Sequence, residues 1–437
     1  MSLDPLHLAL IGTAAMFLLI ALHVPIGAAM AVIGVAGVWV MLDWSAATSL
    51  FATVPSGILS NSELATIPLF LLMGSFAGVA GLSSDLYRLA YALVGQYRGG
   101  LAMATIGGCA GFGAICGSSI ATATTFTRVA LPEMIDRRYD PGLAAGCCAA
   151  GGTLGILIPP SIILVLYAVL TEQFVISLFA AAVVPGIIAV ALYLAAIAVQ
   201  VRIRPESGPP GPRLTWGERL RITLQCWRVL LLAIVVSGGI YAGVFTVEEA
   251  AAVGASLAFF FAIGRGLTVA DVGQVLKETA TNTGMIYLII IGASTFTYFM
   301  TLTQLPDEIV GAIESSGFPP IVVIMLLLLM YLVLGSVFDT VAAMVITLPV
   351  VFPVVISLGY DPIWWGVMNV MIIEIGMITP PIGMNVFIIH GLVPNIPLSR
   401  IFGGIVPFLG ADVIRLAIML ALPGVALWFP KFIGVMN

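Results

Sequence analysis

Apolar stretches close to the length of a membrane span recur from one end of the chain to the other, separated by short polar turns. About 20 apolar residues suffice to cross a bilayer as a helix. The pattern predicts spans near 6–22 and 24–42, parted by "HVPIG", where Pro25 and Gly27 punctuate the run. Residues 44–63 are more polar and are expected to lie along the membrane interface. Further apolar segments cover 66–82 and 88–111, then 142–170, 174–200, 227–245 and 249–264, and in the second half 281–301, 320–335, 336–357, 362–392 and 401–429. Between them, 112–134 is too rich in Gly, Ser and Thr for an ordinary span. Strict apolar/polar alternation is absent, which excludes a transmembrane β-barrel. The expected fold class is therefore all-α, a polytopic membrane protein.

Composition agrees. Of 437 residues, 61% are hydrophobic and 8% charged, against about 25% charged in a soluble domain. The net charge of −5 matters less than its placement. The stretch 201–228, "VRIRPESGPPGPRLTWGERLRITLQCWR", is Pro/Gly-rich and holds six arginines, so it reads as a cytoplasmic tether between two bundles. No basic patch, zinc spacing or nucleotide loop appears, which argues against a nucleic-acid partner. Cys109, Cys116, Cys147, Cys148 and Cys226 form no metal or disulfide pattern and read as small packing residues. The N-terminus lacks a basic n-region, so its first apolar segment is expected to remain as a span.

The tether divides the chain into halves that resemble one another. Gly74 pairs with Gly292 and Gly117 with Gly335, each 218 positions apart; Gly155, Pro159 and Pro160 pair with Gly376, Pro380 and Pro381 at 221. The expected organisation is N-terminal scaffold at 1–63, a first repeat at 64–200, the tether at 201–228, scaffold helices at 229–280 and a second repeat at 281–437. Each repeat would hold a re-entrant hairpin (112–134; 336–357) and a broken helix (142–170; 362–392). Arg98, Arg137 and Arg138 flank the first hairpin, whereas "ESSGFPP" and "SLGYDPIW" flank the second without any Lys or Arg. The two hairpins would then enter from opposite faces, the arrangement of inverted-repeat transporters.

"GILIPPS" at 155–161 and "GMITPPI" at 376–382 place adjacent prolines inside apolar runs. One proline in a helix interior costs about 3 kcal/mol or more. Backbone freed this way is tolerated at membrane depth only where protein buries it or where it lines a cavity. Freed carbonyls are hard oxygen ligands for an alkali cation, and half-helix N-termini favour an anion. The hairpin tips "CGSSIAT" (116–122) and "LGSVFDT" (334–340) would supply further oxygens. This reading gives two related cation sites with an anion site between them; the competing one makes the prolines kinks and the Gly/Ser runs close helix packing.

"CGSSIATATTFTRVALPEMIDRRYDPGLAAG", "GGTLGILIPPS", "GSVFDT", "EIGMITPPIGMNVFI" and "RIFGGIVPFL" resemble the large, DctM-like membrane subunit of tripartite ATP-independent periplasmic (TRAP) transporters over nearly the whole chain. The resemblance implies a bacterial inner-membrane, elevator-type secondary transporter coupled to sodium, a fold like that of the ion-transporter superfamily. It implies an organic acid, often a carboxylate, delivered by a periplasmic binding protein, and a small four-helix membrane subunit expected as a separate polypeptide. Carried over by position, one sodium site would use Cys116 and Ser118 with Gly155, Ile158 and Pro160. The other would use Gly335 and Thr340 with Gly376, Thr379 and Ile382. Substrate would lie near Ser119, Thr122 and Asp339. Cys116 replaces the family's usual serine, which is harmless if only its carbonyl serves.

An ionised Asp at the centre of a membrane helix costs about 2.5–3.5 kcal/mol, so Asp339 is either functional or a partner for nearby backbone N–H groups. Glu374 is either a proton-accessible group or, the preferred reading, a scaffold hydrogen-bonder. Arg128 would either face a substrate carboxylate or, structurally, reach the interface or pair with Glu133. His7, His23 and His390 are isolated and carry no metal reading. The main rival is a sodium- or proton-coupled organic-anion transporter that works without a soluble binding protein. A membrane-embedded enzyme lacks its acid/base or metal cluster in this sequence, and an ATP-driven permease would need a partner ATPase.

Overall fold

A computed structural model describes residues 4–436; residues 1–3, the start of the expected N-terminal scaffold, and 437 lie outside it. Among the described residues the secondary structure is helical, with no strand. Six helices among the described residues are long and apolar enough to cross a membrane, or up to eight if each bent pair counts as one span. Helices satisfy their own backbone polar groups, which lipid cannot do for them.

The chain opens with α1 (Pro5–Ala21), α2 (Ile26–Met41) and α3 (Trp44–Ser60), then α4 (Thr66–Val79) and α5 (Leu82–Val94). A hairpin follows, formed by α6 (Gly100–Cys116) and α7 (Ser119–Val129), the latter extended by α8 (Leu131–Asp136). Next come α9 (Pro141–Leu157) and α10 (Ile162–Leu170), a pair bent by 42°, and α11 (Val175–Ile203). The middle of the chain holds α12 (Trp216–Gln225), α13 (Trp227–Ala233) running through a π-turn into α14 (Gly239–Tyr241), and α15 (Val247–Ile263). The second half has α16 (Val269–Leu302), α17 (Leu305–Ser316), a hairpin of α18 (Pro320–Val337) and α19 (Thr340–Ser357), and a broken pair α20 (Pro362–Gly376) and α21 (Met384–Leu392). It closes with α22 (Leu398–Ala421) and α23 (Gly424–Phe432).

The 34-residue α16 packs along α2 with backbones nearly touching. A Cβ built on Gly34 would lie 2.7 Å from the Thr295 carbonyl oxygen. Gly292 meets the Gly27 backbone just as closely, so both helices need glycine at the crossing. α15 lies along α4 in the same layer, Gly254 against Met73. Against this frame sits the body that holds both hairpins and both broken helices. In it α9 crosses α22 at Gly142 and Gly404 with no room for a side chain on either.

Three expectations change. Each hairpin is longer than its composition suggested, because its ingoing arm is an ordinary apolar helix. The first runs from Gly100 and turns at Gly117–Ser118, inside the expected 112–134; the second runs from Pro320 and turns at Phe338–Asp339. The 201–228 segment is not a loose tether. α11 continues to Ile203, α12 and α13 fill 216–233, and the stretch between is pinned to neighbouring turns. Asp140 donates its N–H to the Ser207 carbonyl at 3.0 Å, Gly99 to that of Gly208 at 2.9 Å, and the Tyr139 hydroxyl to that of Pro209 at 2.9 Å.

The third change is the register between the halves. Asp140 and Asp361 cap α9 and α20, Ser118 and Asp339 cap α7 and α19, and both diprolines follow, all 221 positions apart. Gly117 therefore corresponds to Phe338, and Gly335 to Ala114. Gly74 and Gly292 are not counterparts either: Gly74 packs on the Cys116 backbone, Gly292 on Gly27.

Candidate functional site

At the first tip, Gly117 ends α6 in the left-handed region (φ 64°), donating its N–H to Gly113 O at 2.8 Å. Ser118 then starts α7 by accepting the Ala121 N–H on its hydroxyl at 3.3 Å. The tip rests on the break of the α9–α10 pair. A Cβ on Gly155 would lie 2.6 Å from Thr122 Oγ1 and 2.8 Å from the Ser118 carbonyl oxygen; one on Gly117 would lie 3.3 Å from the Pro160 carbonyl oxygen. Pro159 and Pro160 have no N–H, so the Gly155 and Ile156 carbonyls lose their helical donors. Thr122, expected beside the substrate, instead turns its buried Oγ1, which has no hydrogen-bond partner, onto this break. Ser118, Thr122, Gly155 and Pro160 thus converge, with oxygens to spare for a hard cation. Cys116 is beside them, its backbone packed on Gly74. Ile158 points its side chain elsewhere, onto Gly186, and with Pro159 lines a separate apolar cavity of about 460 Å³. Only its main chain faces the break.

The second tip is built the same way but is more fully bonded. Asp339 caps α19 by accepting the Ala342 N–H at 2.7 Å. A Cβ on Gly376 would lie 2.7 Å from the Leu332 carbonyl oxygen, so α18 and α20 meet backbone to backbone at Gly335 and Gly376. The break here, residues 377–383, is longer than 158–161 in the first half and folds back on itself. The Gly376 carbonyl accepts the Thr379 N–H at 2.8 Å, Met377 O accepts Asn385 N–H at 3.1 Å, and Ser336 O accepts Gly383 N–H at 3.1 Å. The Thr379 hydroxyl donates to Ile375 O at 2.6 Å and the Thr340 hydroxyl to Glu374 Oε1 at 3.1 Å. Ile382 lies in the outer part of this break and is exposed.

Between the two tips lies a cavity of about 460 Å³. Gly117, Ser118 and Ser119 line it from the first hairpin, Asp339 and Thr340 from the second, and Glu278 and Asn282 from α16. The two helices that begin at the tips, α7 and α19, both turn their N-terminal first turns to this space. Their unpaired N–H groups favour a negative group there. Asp339 opposes that field in part, although its oxygen is already engaged as a cap.

Three residues of the site were missed in sequence. Glu278 and Asn282 lie on a frame helix with no motif to mark them. Asn385, in the second half, donates its amide to Ser119 Oγ in the first at 2.8 Å; the "GMN" context placed it near a break, but nothing in the sequence pointed it across. Arg128 is not brought to the cavity. It is exposed at the far end of α7, about 14 Å along the axis from Ser119. Nor does it pair with Glu133, which holds Arg137 at 2.9 Å.

Deeper in the body, Asp412 and Arg415 form a buried ion pair at 2.7 Å, and Tyr193 donates to Asp412 at 2.8 Å. Among the described residues no group of three or more His, Cys, Asp or Glu is placed to hold a metal ion.

Residues 13–425 match the family model described as "Tripartite ATP-independent periplasmic transporter, DctM component". The chain is similar to a protein of Pseudomonas aeruginosa named C4-dicarboxylate TRAP transporter large permease protein DctM, 36% identical over 85% of this chain and 87% of that one. A protein of the same name from Vibrio cholerae is 34% identical over 88% and 89%. Among solved structures, the Alcanivorax borkumensis YdaH transporter shares the fold, with a TM-score of 0.61 over 88% of this chain and 90% of that one at 14% identity.

Proposed function

The chain belongs to the DctM family of TRAP transporters, and from that premise we propose that it is the sodium-coupled permease of a three-part importer. It is a multi-pass inner-membrane protein that transports organic acids within a TRAP system. The finer reading has a periplasmic binding protein deliver an organic acid to the cavity between the tips, with a small four-helix membrane subunit beside the permease. The names of its relatives make C4-dicarboxylates the first substrates to try.

One observation carries the reading: two broken helices each meet a hairpin tip, and the tips face one cavity. Sodium is cargo here, held by main-chain and hydroxyl oxygens. Ser118, Thr122, Gly155 and Pro160 form the first site, with Cys116 contributing through its backbone. Gly335, Thr340, Gly376 and Thr379 form the second, with Ile382 at its outer edge. Each cation would stiffen a tip and add positive charge beside the cavity, so acid and sodium favour one another's binding. With both sites filled, the body of hairpins and broken helices would move as a unit against the frame of α2, α4, α15 and α16, exposing the cavity on alternate sides. The 221-residue register supports two repeats, and the arginine distribution supports their inversion.

Reconstitution tests this. Proteoliposomes holding the chain and its small subunit, supplied with binding protein and a radiolabelled C4-dicarboxylate, should take up label only under an inward sodium gradient. Uptake that persists with potassium in place of sodium would refute the coupling. Uptake without binding protein would favour a permease that takes substrate directly.

A further inference from the structure

Glu374 is a fully buried carboxylate on α20 that lies between the two hairpin tips. Its Oε1 lies 3.1 Å from the Thr340 hydroxyl, which also faces Met377 Sδ at 3.0 Å, and the Ser119 hydroxyl is a neighbour of the same carboxyl group. Ser119 and Thr340 occupy equivalent positions, each the first residue of an outgoing arm. Donor accounting fixes what Ser119 can do. Its oxygen already accepts an amide hydrogen from Asn385 at 2.8 Å, which leaves its own hydroxyl hydrogen to give away. Glu374 Oε2 is buried and without a hydrogen-bond partner, an open acceptor for that hydrogen. The two hydroxyls, one from each tip, thus stand beside a single buried carboxyl group.

The link is not duplicated by symmetry. The position equivalent to Glu374 in the first half is Thr153, whose hydroxyl donates to Ala150 O at 2.7 Å and faces Tyr193 rather than a tip. Thr153 therefore does not repeat the Glu374 arrangement in the first half.

We propose that Glu374 is a positioning residue that couples the two hairpin tips, so that ordering one orders the other. The inference deepens the proposed function by giving two ion sites on separate repeats a physical reason to fill together. The bridge itself does not depend on which ion is carried.

Cys116 is a native reporter for the test, since it sits at the first tip and lines a cavity of about 270 Å³ against α4 and α16. In the full-length chain in lipid nanodiscs, with the other four cysteines replaced by alanine, the rate of Cys116 modification by a small neutral maleimide reads the order of the first tip. Thr340→Val, a change in the second tip, should raise that rate about threefold or more, at the low end of coupling between neighbouring residues. Thr340→Ser should restore it. Glu374→Gln should raise it to a similar degree, and Thr340→Val should then add nothing. The proposal is overturned if Thr340→Val leaves the rate unchanged, or if its effect multiplies fully with that of Glu374→Gln. Should Glu374→Gln fail to fold, Ser119→Ala combined with Thr340→Val gives the same cycle, again with a combined effect below the product of the two. Repeating the measurement with potassium in place of sodium separates the two ideas. A rate indifferent to sodium counts against the ion sites, whereas the variant cycle alone decides the bridge.

Discussion

Gly155 lies so close beneath Ser118 that a Cβ on the glycine would stand 2.8 Å from the serine carbonyl oxygen, and 2.6 Å from Thr122 Oγ1. Neither neighbour can yield cheaply, because one is backbone and the other is enclosed on a helix. Gly155→Ala should therefore push the first tip off the broken helix and spread the converging oxygens. A displacement of this size near a binding centre can cost about a hundredfold in rate. Sodium-driven uptake should fall by that order while the half-saturating sodium concentration rises. Equal sodium dependence in variant and wild type would show that these oxygens do not hold the ion.

The diprolines make a sharper prediction. Replacing Pro159 and Pro160 with alanine restores two N–H groups and lets α9 run on into α10, giving the Gly155 and Ile156 carbonyls their helical donors back. The protein should remain folded and reach the membrane, yet lose sodium-driven uptake. Circular dichroism and size-exclusion behaviour near wild type would establish folding. Retained transport in such a variant would mean that the freed carbonyls are not ligands.

How much of this was legible beforehand depends on where the information resides. Prolines act locally, so Pro159–Pro160 and Pro380–Pro381 announce the breaks from the sequence alone, whereas the caps Asp140 and Asp361 emerged only with the structure. The ingoing arms of the hairpins were not legible, because α6 and α18 have the apolar composition of any span, and only the turn at their end sets them apart. The pairing of Gly117 with Gly335 failed because glycine serves two purposes here. Gly117 supplies a left-handed turn, whereas Gly335 lets α18 approach α20. Glu278 and Asn385 reach the site through packing between elements distant in sequence, and no local pattern encodes that.

Asp412 and Arg415 are one helical turn apart on α22, with both side chains sealed from the surface. Removing one partner strands a buried charge, at about 3–5 kcal/mol. Arg415→Met should lower the thermal unfolding midpoint in detergent by several degrees and reduce the amount of folded protein in the membrane. The double variant Asp412→Leu with Arg415→Met should recover much of the loss, since an apolar pair of similar volume avoids the desolvation penalty. A double variant no better than the single would assign the pair a role beyond mutual neutralisation, with Tyr193, which donates to Asp412, the first place to look.

Glu278 offers the frame's contribution to the cavity, a carboxylate on α16 across from the two tips. Its charge opposes an anionic cargo that the helix starts of α7 and α19 attract, and in a water-filled space such repulsion amounts to about 1 kcal/mol at contact distances. Glu278→Gln keeps the shape and removes the charge. The KM for a dicarboxylate should fall about fivefold at low ionic strength, and the difference should shrink as salt screens it. If release of cargo limits turnover, the maximal rate should fall at the same time, because tighter binding without a gain at the transition state slows departure. A KM that is unchanged at low salt would place the bound acid out of reach of α16, confined to the tips themselves.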